Sequence, residues 1–140
     1  GGALAFHNYT TDLLSIASSG AATFSSSVTA GGILKGVGFN QPISVKTANY
    51  TLTDADYTVM FNTTSGNLTA TLPAGVEGRI YNIGYSVLAN QLTITPNGSE
   101  TINGDTSFII NSGACYQTVT LQFLSGNWYI LSTAYNQSCL

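Results

Sequence analysis

The chain has 140 residues, enough for one domain of ordinary size with an attached arm. Only 6% of the residues are charged while 44% are hydrophobic, so the polar surface must be built mainly from Ser, Thr, Asn, Gln and Gly. Such a neutral, hydroxyl-rich surface is typical of an extracellular or virion-surface protein. The net charge of -3 argues against nucleic-acid binding, because phosphate contacts need clustered Lys and Arg.

The sequence predicts no membrane insertion, because no apolar run approaches the roughly 20 residues of a membrane-spanning helix. The chain begins with Gly1-Gly2, and its single methionine is Met60. This start suggests a processed or excised form, and whether Gly1 is a natural terminus stays open.

Residues 1–48 predict an extended β arm or fibre-shaft segment, made of short strands joined by small residues. A helix over residues 12–19, capped by Asp12, is the alternative, but its serines are weak helix formers. The segment has too few large apolar residues to fold alone, so we expect it to intertwine with identical chains or to dock on a neighbouring subunit. The apolar side chains of this predicted assembly arm are Leu4, Phe6, Leu13, Leu14, Ile16, Phe24 and Val28.

Residues 49–140 predict an all-β head domain. Short apolar/polar alternations, as at Leu68, Ala70 and Leu72, are separated by Gly, Pro, Asn and Ser. Turn signals every 8–12 residues favour an antiparallel sandwich or a flattened barrel of about eight short strands. The predicted strands are 50–53, 57–61, 67–72, 79–83, 91–95, 107–110, 116–124 and 128–131.

The two cysteines, Cys115 and Cys139, flank the last predicted hairpin. If Leu124 faces Trp128 across a turn at 125–127, residue 115 falls opposite about residue 137. A disulfide between the cysteines is then plausible and would indicate an oxidising compartment. A bridge between chains, or two reduced thiols, remains open.

The sequence offers no catalytic constellation, cofactor motif or metal-ligand cluster, so we predict a protein that is not an enzyme. Asp54 and Asp56 could pair as calcium ligands, but calcium needs six to eight oxygens and turn formation explains the spacing better. His7 is the single histidine, and it could join a metal site only by meeting its own copies on a threefold axis.

Aromatic residues on the predicted strands are candidates for stacking against a sugar. Trp128 and Tyr129 are adjacent in one strand, so they point to opposite faces and one of them belongs to the core. The alternative is that tyrosines occur here because they fit a β-sheet. The candidate glycan-stacking residues are Tyr81, Tyr85, Tyr116, Trp128, Tyr129 and Tyr135.

The chain contains six Asn-x-Ser/Thr sequons, a modest excess over chance for this composition. They predict a glycosylated surface in a secreted setting. The candidate N-glycosylation residues are Asn8, Asn49, Asn62, Asn67, Asn97 and Asn136.

Several segments together resemble a domain found near the C-termini of bacteriophage tail-fibre and tail-associated proteins. The similarity lies in their order and spacing, and the upstream Ala21-Ala-Thr-Phe-Ser-Ser-Ser-Val-Thr-Ala-Gly-Gly is similar to the shaft repeats that precede such domains. The resemblance covers roughly residues 1–132. The segments are Tyr50-Thr-Leu-Thr-Asp-Ala-Asp-Tyr-Thr-Val, Ala70-Thr-Leu-Pro-Ala, Gly78-Arg-Ile-Tyr, Leu92-Thr-Ile-Thr-Pro-Asn-Gly-Ser-Glu-Thr-Ile-Asn-Gly, and Val119-Thr-Leu-Gln followed by Gly126-Asn-Trp-Tyr-Ile-Leu.

The resemblance implies a homotrimeric, fibrous assembly with an all-β tip, a role in host attachment and no enzyme activity. It carries no fixed set of functional residues. The tail at 132–140 and the sequons depart from the family's pattern. We therefore expect a viral tail-fibre protein, on a virion surface, that binds a host surface glycan or protein.

Two alternatives remain at this point. The first is a repeating subunit of an extracellular pilus-like filament, in which residues 1–30 act as a donor strand for the next subunit. The second is a sugar-binding module of a secreted enzyme. Head-to-tail contacts give filaments whereas a closed rotation gives trimers, so symmetry separates the first alternative from the fibre.

Overall fold

The computed structural model describes residues 4–8, 11–16, 22–24, 40–110 and 116–135. Every regular element within these ranges is a β-strand, which confirms the all-β prediction. None of the described residues belongs to a helix that is long and apolar enough to cross a bilayer. The chain divides into two compact units, an N-terminal unit of residues 1–39 and a C-terminal unit of residues 40–140.

The N-terminal unit contains a three-stranded antiparallel sheet in the order β1-β2-β3. The strands are β1 (Leu4–Asn8), β2 (Thr11–Ile16) and β3 (Ala22–Phe24). The strand β2 replaces the first half of the alternative helix at 12–19. Most of the predicted assembly-arm residues lie on these strands, and Val28 lies outside the described residues. Their role in assembly stays a prediction.

The C-terminal unit contains two sheets. One has six strands in the order β10-β13-β12-β8-β6-β4, and the other has four in the order β11-β9-β7-β5. The strands are β4 (Ile43–Lys46), β5 (Tyr50–Thr51), β6 (Thr58–Asn62), β7 (Leu68–Thr71), β8 (Ile80–Val87), β9 (Leu92–Thr95), β10 (Thr101–Ile102), β11 (Phe108–Ile110), β12 (Tyr116–Leu124) and β13 (Asn127–Tyr135).

From β4 to β9 the chain winds as a solenoid-like stack, because successive strands alternate between the two sheets. Each strand pairs in parallel with the strand two positions later, so that Thr58 lies beside Asn82 and Leu68 beside Leu92. The strands β8, β12 and β13 then pair antiparallel. The predicted eight-stranded antiparallel sandwich or barrel is therefore wrong. Alternation along a strand identifies its two faces but not its neighbour.

The core lies between the two sheets and is built from the inward-facing residues of each strand. Trp128 is fully buried at its centre, with ring centroids 5.6 Å from Tyr81 and 5.1 Å from Phe123. Its indole Nε1 donates a hydrogen bond of 2.9 Å to Oε2 of Glu100, whose Oε1 accepts one of 2.8 Å from the backbone N–H of Gly75. A single carboxylate thus connects the core tryptophan to the loop after β7.

A two-residue turn, Ser125-Gly126, joins β12 to β13. Both residues have positive φ, 50° and 80°, which matches the tight hairpin turn that follows the twist of the strands. Leu124 consequently pairs with Asn127, so the predicted pairing of Leu124 with Trp128 is wrong by one residue. Cys115 and Cys139 lie outside the described residues, and their disulfide stays a prediction.

Candidate binding surface

The outer face of the six-stranded sheet, meaning the side chains that point away from the core, carries no charged residue among those described. Alternation places Val59, Ile83 and Val119 inward, and their neighbours along each strand outward. Several outward side chains are large, apolar and exposed, which is unusual for an open face. Among them are Ile43, Val45, Leu124, Tyr129 and Leu131, with exposed fractions from 46% to 70%.

At the β12–β13 end of this face lies a groove of about 490 Å³. Tyr129 pairs with Gln122 across the two strands, so their side chains lie together on the outer face. A β-bulge leaves Leu131 without a partner between the pairs that flank it, and its side chain is 54% exposed. The groove is lined by Gly78, Gln122, Phe123, Leu124, Tyr129, Ile130 and Leu131.

Hydrogen bonds hold the polar wall of the groove in place. The Gln122 amide Nε2 donates to the Gly78 carbonyl oxygen at 3.1 Å, and the Gly78 N–H donates to the Phe123 carbonyl oxygen at 3.0 Å. Next to Gly78, the Glu77 carboxylate accepts a 2.9 Å bond from the N–H of Ser125. The lining is uncharged, and the nearby carboxylate disfavours an anionic ligand.

A hydrogen-bonded row of side chains runs across the same face from β13 through β12 to β8. The Ser132 hydroxyl donates to Oγ1 of Thr120 at 3.1 Å, and the Thr120 hydroxyl donates to Oδ1 of Asn82 at 2.8 Å. Beyond this row the outward residues of β6 and β4 include Met60, Val45 and Ile43, the last two of them 57% and 70% exposed. The outer face therefore has two apolar ends: the groove, and a β4 patch formed by Ile43, Val45 and Met60.

The structure corrects two of the candidate glycan-stacking residues. Tyr81 and Trp128 are fully buried, so neither ring can meet a sugar. The Tyr81 hydroxyl donates to the Thr53 carbonyl oxygen at 3.0 Å, and burial raises the pKa of Tyr81. Tyr85 is half-buried against the core, and burial raises its pKa as well. Tyr129 is exposed at the groove.

The other two aromatic candidates, Tyr116 and Tyr135, pair across β12 and β13. Their side chains lie outside what the structure describes, so their role in stacking stays a prediction.

Three of the sequon asparagines have structural roles. Oδ1 of Asn49 accepts a 2.8 Å bond from the N–H of Thr69, and Oδ1 of Asn67 accepts a 3.1 Å bond from the N–H of Gln91. Each of these side chains thereby reaches a neighbouring segment of the chain. Oδ1 of Asn62 caps its own turn by accepting from the N–H of Thr64 at 3.0 Å.

Asn97 is exposed, whereas the side chains of Asn8 and Asn136 lie outside the described residues. Glycan occupancy stays a prediction at all six sequons.

Asp54 and Asp56 lie in the tight turn that the sequence suggested. The Asp56 carboxylate accepts hydrogen bonds from the N–H and hydroxyl of Thr53, both 2.9 Å, and from the Tyr50 hydroxyl at 3.0 Å. Asp54 instead forms an exposed ion pair of 3.3 Å with Arg79. The described residues contain no group of three or more His, Cys, Asp or Glu side chains that could hold a metal ion.

Tyr129 is a candidate that the sequence predicts, whereas Leu124, Leu131 and Gln122 beside it are not among the predicted residues. The outward apolar positions of the final hairpin were a usable signal, but the bulge that exposes Leu131 is not encoded in a simple alternation. Gly78 reaches the groove from a distant loop, which no local pattern reveals. No protein-family model matches this chain, and no curated protein matches it significantly.

Proposed function

We propose that this chain is a non-enzymatic structural and adhesion protein, the shaft segment and tip of a viral (phage) tail fibre that attaches to a host surface glycan or protein. The observation that carries the proposal is the uncharged outer face of the six-stranded sheet, with exposed apolar side chains at both ends. Exposed apolar patches of this kind mark interaction sites. The order of motifs that resembles tail-fibre tips supports the same conclusion.

The β4 patch supports self-association. Ile43 and Val45 are among the most exposed apolar side chains described, and they lie on a strand at the edge of its sheet. Interface cores are depleted of charged residues, as this face is. Copies of the chain that meet through the patch would remove these side chains from water, and a closed threefold arrangement gives the homotrimer that a fibre requires.

The groove supports attachment. Tyrosine offers a rigid ring with a polar tip. The ring can contact the apolar face of a sugar while the hydroxyls of the sugar stay hydrogen-bonded. The Gln122 amide beside Tyr129 provides a hydrogen-bonding group at the same place. Because the lining is neutral and Glu77 lies close by, a neutral glycan fits better than a sialylated or uronic one.

Binding of the intact chain to an array of bacterial surface polysaccharides tests the attachment role. We expect binding to neutral glycans, weakened at least about ten-fold by Tyr129→Ala, as for an aromatic anchor at an interface. Ile109→Ala is the matched control, because Ile109 is similarly exposed but lies on the other sheet. If Tyr129→Ala and the unmodified chain bind equally well, the groove is not the glycan-binding site.

A pilus-like filament subunit is the second candidate, favoured by the edge position of β4, to which a strand from another subunit could be added. The pairing of Leu4–Asn8 with Thr11–Ile16 favours the fibre instead, since a donor strand must be free to leave its own sheet. Electron microscopy of the assembled protein separates the two candidates. Discrete threefold particles support the fibre, and long filaments with one chain per helical step support the pilus.

A further inference from the structure

We propose that Asn97 is a site of spontaneous deamidation, and that the fold directs this reaction to Asn97 and away from Asn103. The chain contains two Asn-Gly dipeptides, Asn97-Gly98 and Asn103-Gly104. Asparagine before glycine is the most reactive setting for this chemistry, because glycine has no side chain to shield its backbone nitrogen. Sequence alone therefore makes the two sites equivalent, and the structure distinguishes them.

The reaction needs only the chain and water. The backbone nitrogen of Gly98 attacks the side-chain carbonyl carbon Cγ of Asn97. A new C–N bond forms as the bond from Cγ to Nδ2 breaks. The Gly98 nitrogen loses its proton, Nδ2 gains one, and Nδ2 leaves as ammonia. Water then opens the resulting succinimide at either of its carbonyls, which gives aspartate or isoaspartate. No oxidant or reductant takes part.

The reacting groups at Asn97 are unobstructed. Asn97 and Gly98 are both exposed in the loop between β9 and β10, and a Cβ placed on Gly98 would meet nothing within 4 Å. The loop is a turn closed by a 3.0 Å bond from the N–H of Glu100 to the Asn97 carbonyl oxygen. In the described part of the chain, neither the Gly98 nitrogen nor the Asn97 side chain is held by a hydrogen bond.

The same groups are occupied at Asn103. The Gly104 N–H, which would have to attack, donates to Oδ1 of Asn127 at 3.1 Å. Oδ1 of Asn103 accepts a 3.0 Å bond from the N–H of Ile130, and the Asn103 N–H donates to the Trp128 carbonyl oxygen at 3.0 Å. Ring closure at Asn103 therefore requires the local structure to open first, and this step lowers the rate by the fraction of molecules that are open.

Deamidation at Asn97 has a charge consequence and a covalent one. It adds one negative charge to a chain whose net charge is -3. It also removes Nδ2, the atom to which an N-linked glycan at this sequon would be attached. Glycosylation and deamidation of Asn97 are thus mutually exclusive.

The test incubates the full-length chain, made without glycosylation, in mildly alkaline buffer at physiological temperature. Peptide mass spectrometry with isoaspartate detection then follows both sites. We expect Asn97 to convert at least about ten-fold faster than Asn103, since Asn103 must first lose hydrogen bonds that each contribute modestly to stability. Equal rates at the two sites, or an unchanged Asn97, would overturn the proposal.

Three variants sharpen the test. Asn97→Gln should abolish conversion at this position. Ser99→Ala removes the sequon but should leave the conversion of Asn97 unchanged, because Ser99 takes no part in ring closure. Asn127→Ala frees the Gly104 nitrogen and should raise the conversion of Asn103 alone. Thermal melting verifies that the Asn127→Ala chain is folded. If Asn103 deamidates in this variant as slowly as in the unmodified chain, the proposed protection is refuted.

Discussion

At the scale of single residues, a few polar side chains hold the loops of the C-terminal unit. Glu100 connects Trp128 to the N–H of Gly75, and Asp56 closes the turn after β5 through three hydrogen bonds. In a chain with 6% charged residues, these two carboxylates each form specific contacts within the C-terminal unit. Substitutions at these positions should therefore have measurable effects.

Asp56 should make the free energy of unfolding depend on pH in the acidic range. Burial raises its pKa, but hydrogen bonds from Thr53 and Tyr50 and the charge of Lys46 lower it more, so the pKa lies below its ordinary value. A carboxyl whose pKa is lower in the folded chain stabilises the fold above its unfolded-state pKa, and this contribution is lost as pH falls through the folded-state pKa. We expect the urea midpoint to fall as pH drops below about 4.

The variant Asp56→Asn should be less stable at neutral pH and should lose part of this acid dependence. The control is Asp54→Asn, which removes an exposed ion pair of small energetic value. An unchanged pH profile in Asp56→Asn would show that other groups cause the acid sensitivity.

Gly75 should tolerate no side chain. A Cβ at this position would lie 2.1 to 2.3 Å from ring atoms of Phe123, and that ring is packed against Trp128. We expect Gly75→Ala to destabilise the fold by about 1–3 kcal/mol, as overpacking typically does. Chemical unfolding measures the effect, and the exposed neighbour Val76→Ala is the control. In the Phe123→Leu background the cost of Gly75→Ala should shrink, and an undiminished cost would exclude the ring as its cause.

At the scale of elements, the stack is fastened by side chains that connect one loop to the next. Thr63, just after β6, is fully buried, and its Oγ1 accepts 3.0 Å bonds from the N–H groups of both Ala89 and Asn90. Its hydroxyl also donates to the Val87 carbonyl oxygen at 3.2 Å. One threonine thus fixes the loop after β8 against the loop after β6.

Thr63→Val should lower stability by about 1–3 kcal/mol, because it keeps the shape of the side chain but removes the acceptor for two backbone N–H groups. The adjacent Thr64→Val is the control, since Thr64 is exposed. Thermal and urea unfolding of both variants check the difference. Equal stability of the two variants would mean that water replaces the lost acceptor at no cost.

Strand positions could be predicted from alternation, but strand partners could not. The alternation of Leu68, Ala70 and Leu72 correctly predicts the strand β7. It does not predict the strands that pair with β7, because β5 and β9 lie one winding away along the chain. Local patterns also encode a hairpin turn better than a parallel crossover, because the hairpin has its own turn residues.

The strand β4 was not predicted as part of the head domain, because its apolar residues point outward and its polar residue points inward. Ile43 and Val45 face outward, while Ser44 lies beside the buried Val59 with an Oγ that has no hydrogen-bond partner among the described residues. This reversal also hid the β4 patch. In the groove, the sequence predicts that either Trp128 or Tyr129 is exposed. The structure shows that Trp128 is the buried residue and Tyr129 the exposed one.

At the scale of the whole molecule, the proposed self-association would cover the outward Ile43 and Val45 of the reversed β4 strand. The double variant Ile43→Lys with Val45→Lys should leave the fold intact, because both side chains are largely exposed. It should weaken self-association at least about ten-fold, since charge would enter a desolvated interface. Thr51→Lys, an exposed position on the other sheet, is the control. Sedimentation velocity and melting curves check both expectations, and unaltered association in the double variant would remove β4 from the interface.

The measurement that tests the proposed fibre role most directly is the mass of the assembled full-length chain, determined by native mass spectrometry over a range of concentrations. We expect closed trimers that do not grow as concentration rises. A monomer at every concentration, or open polymers of increasing length, would contradict the fibre.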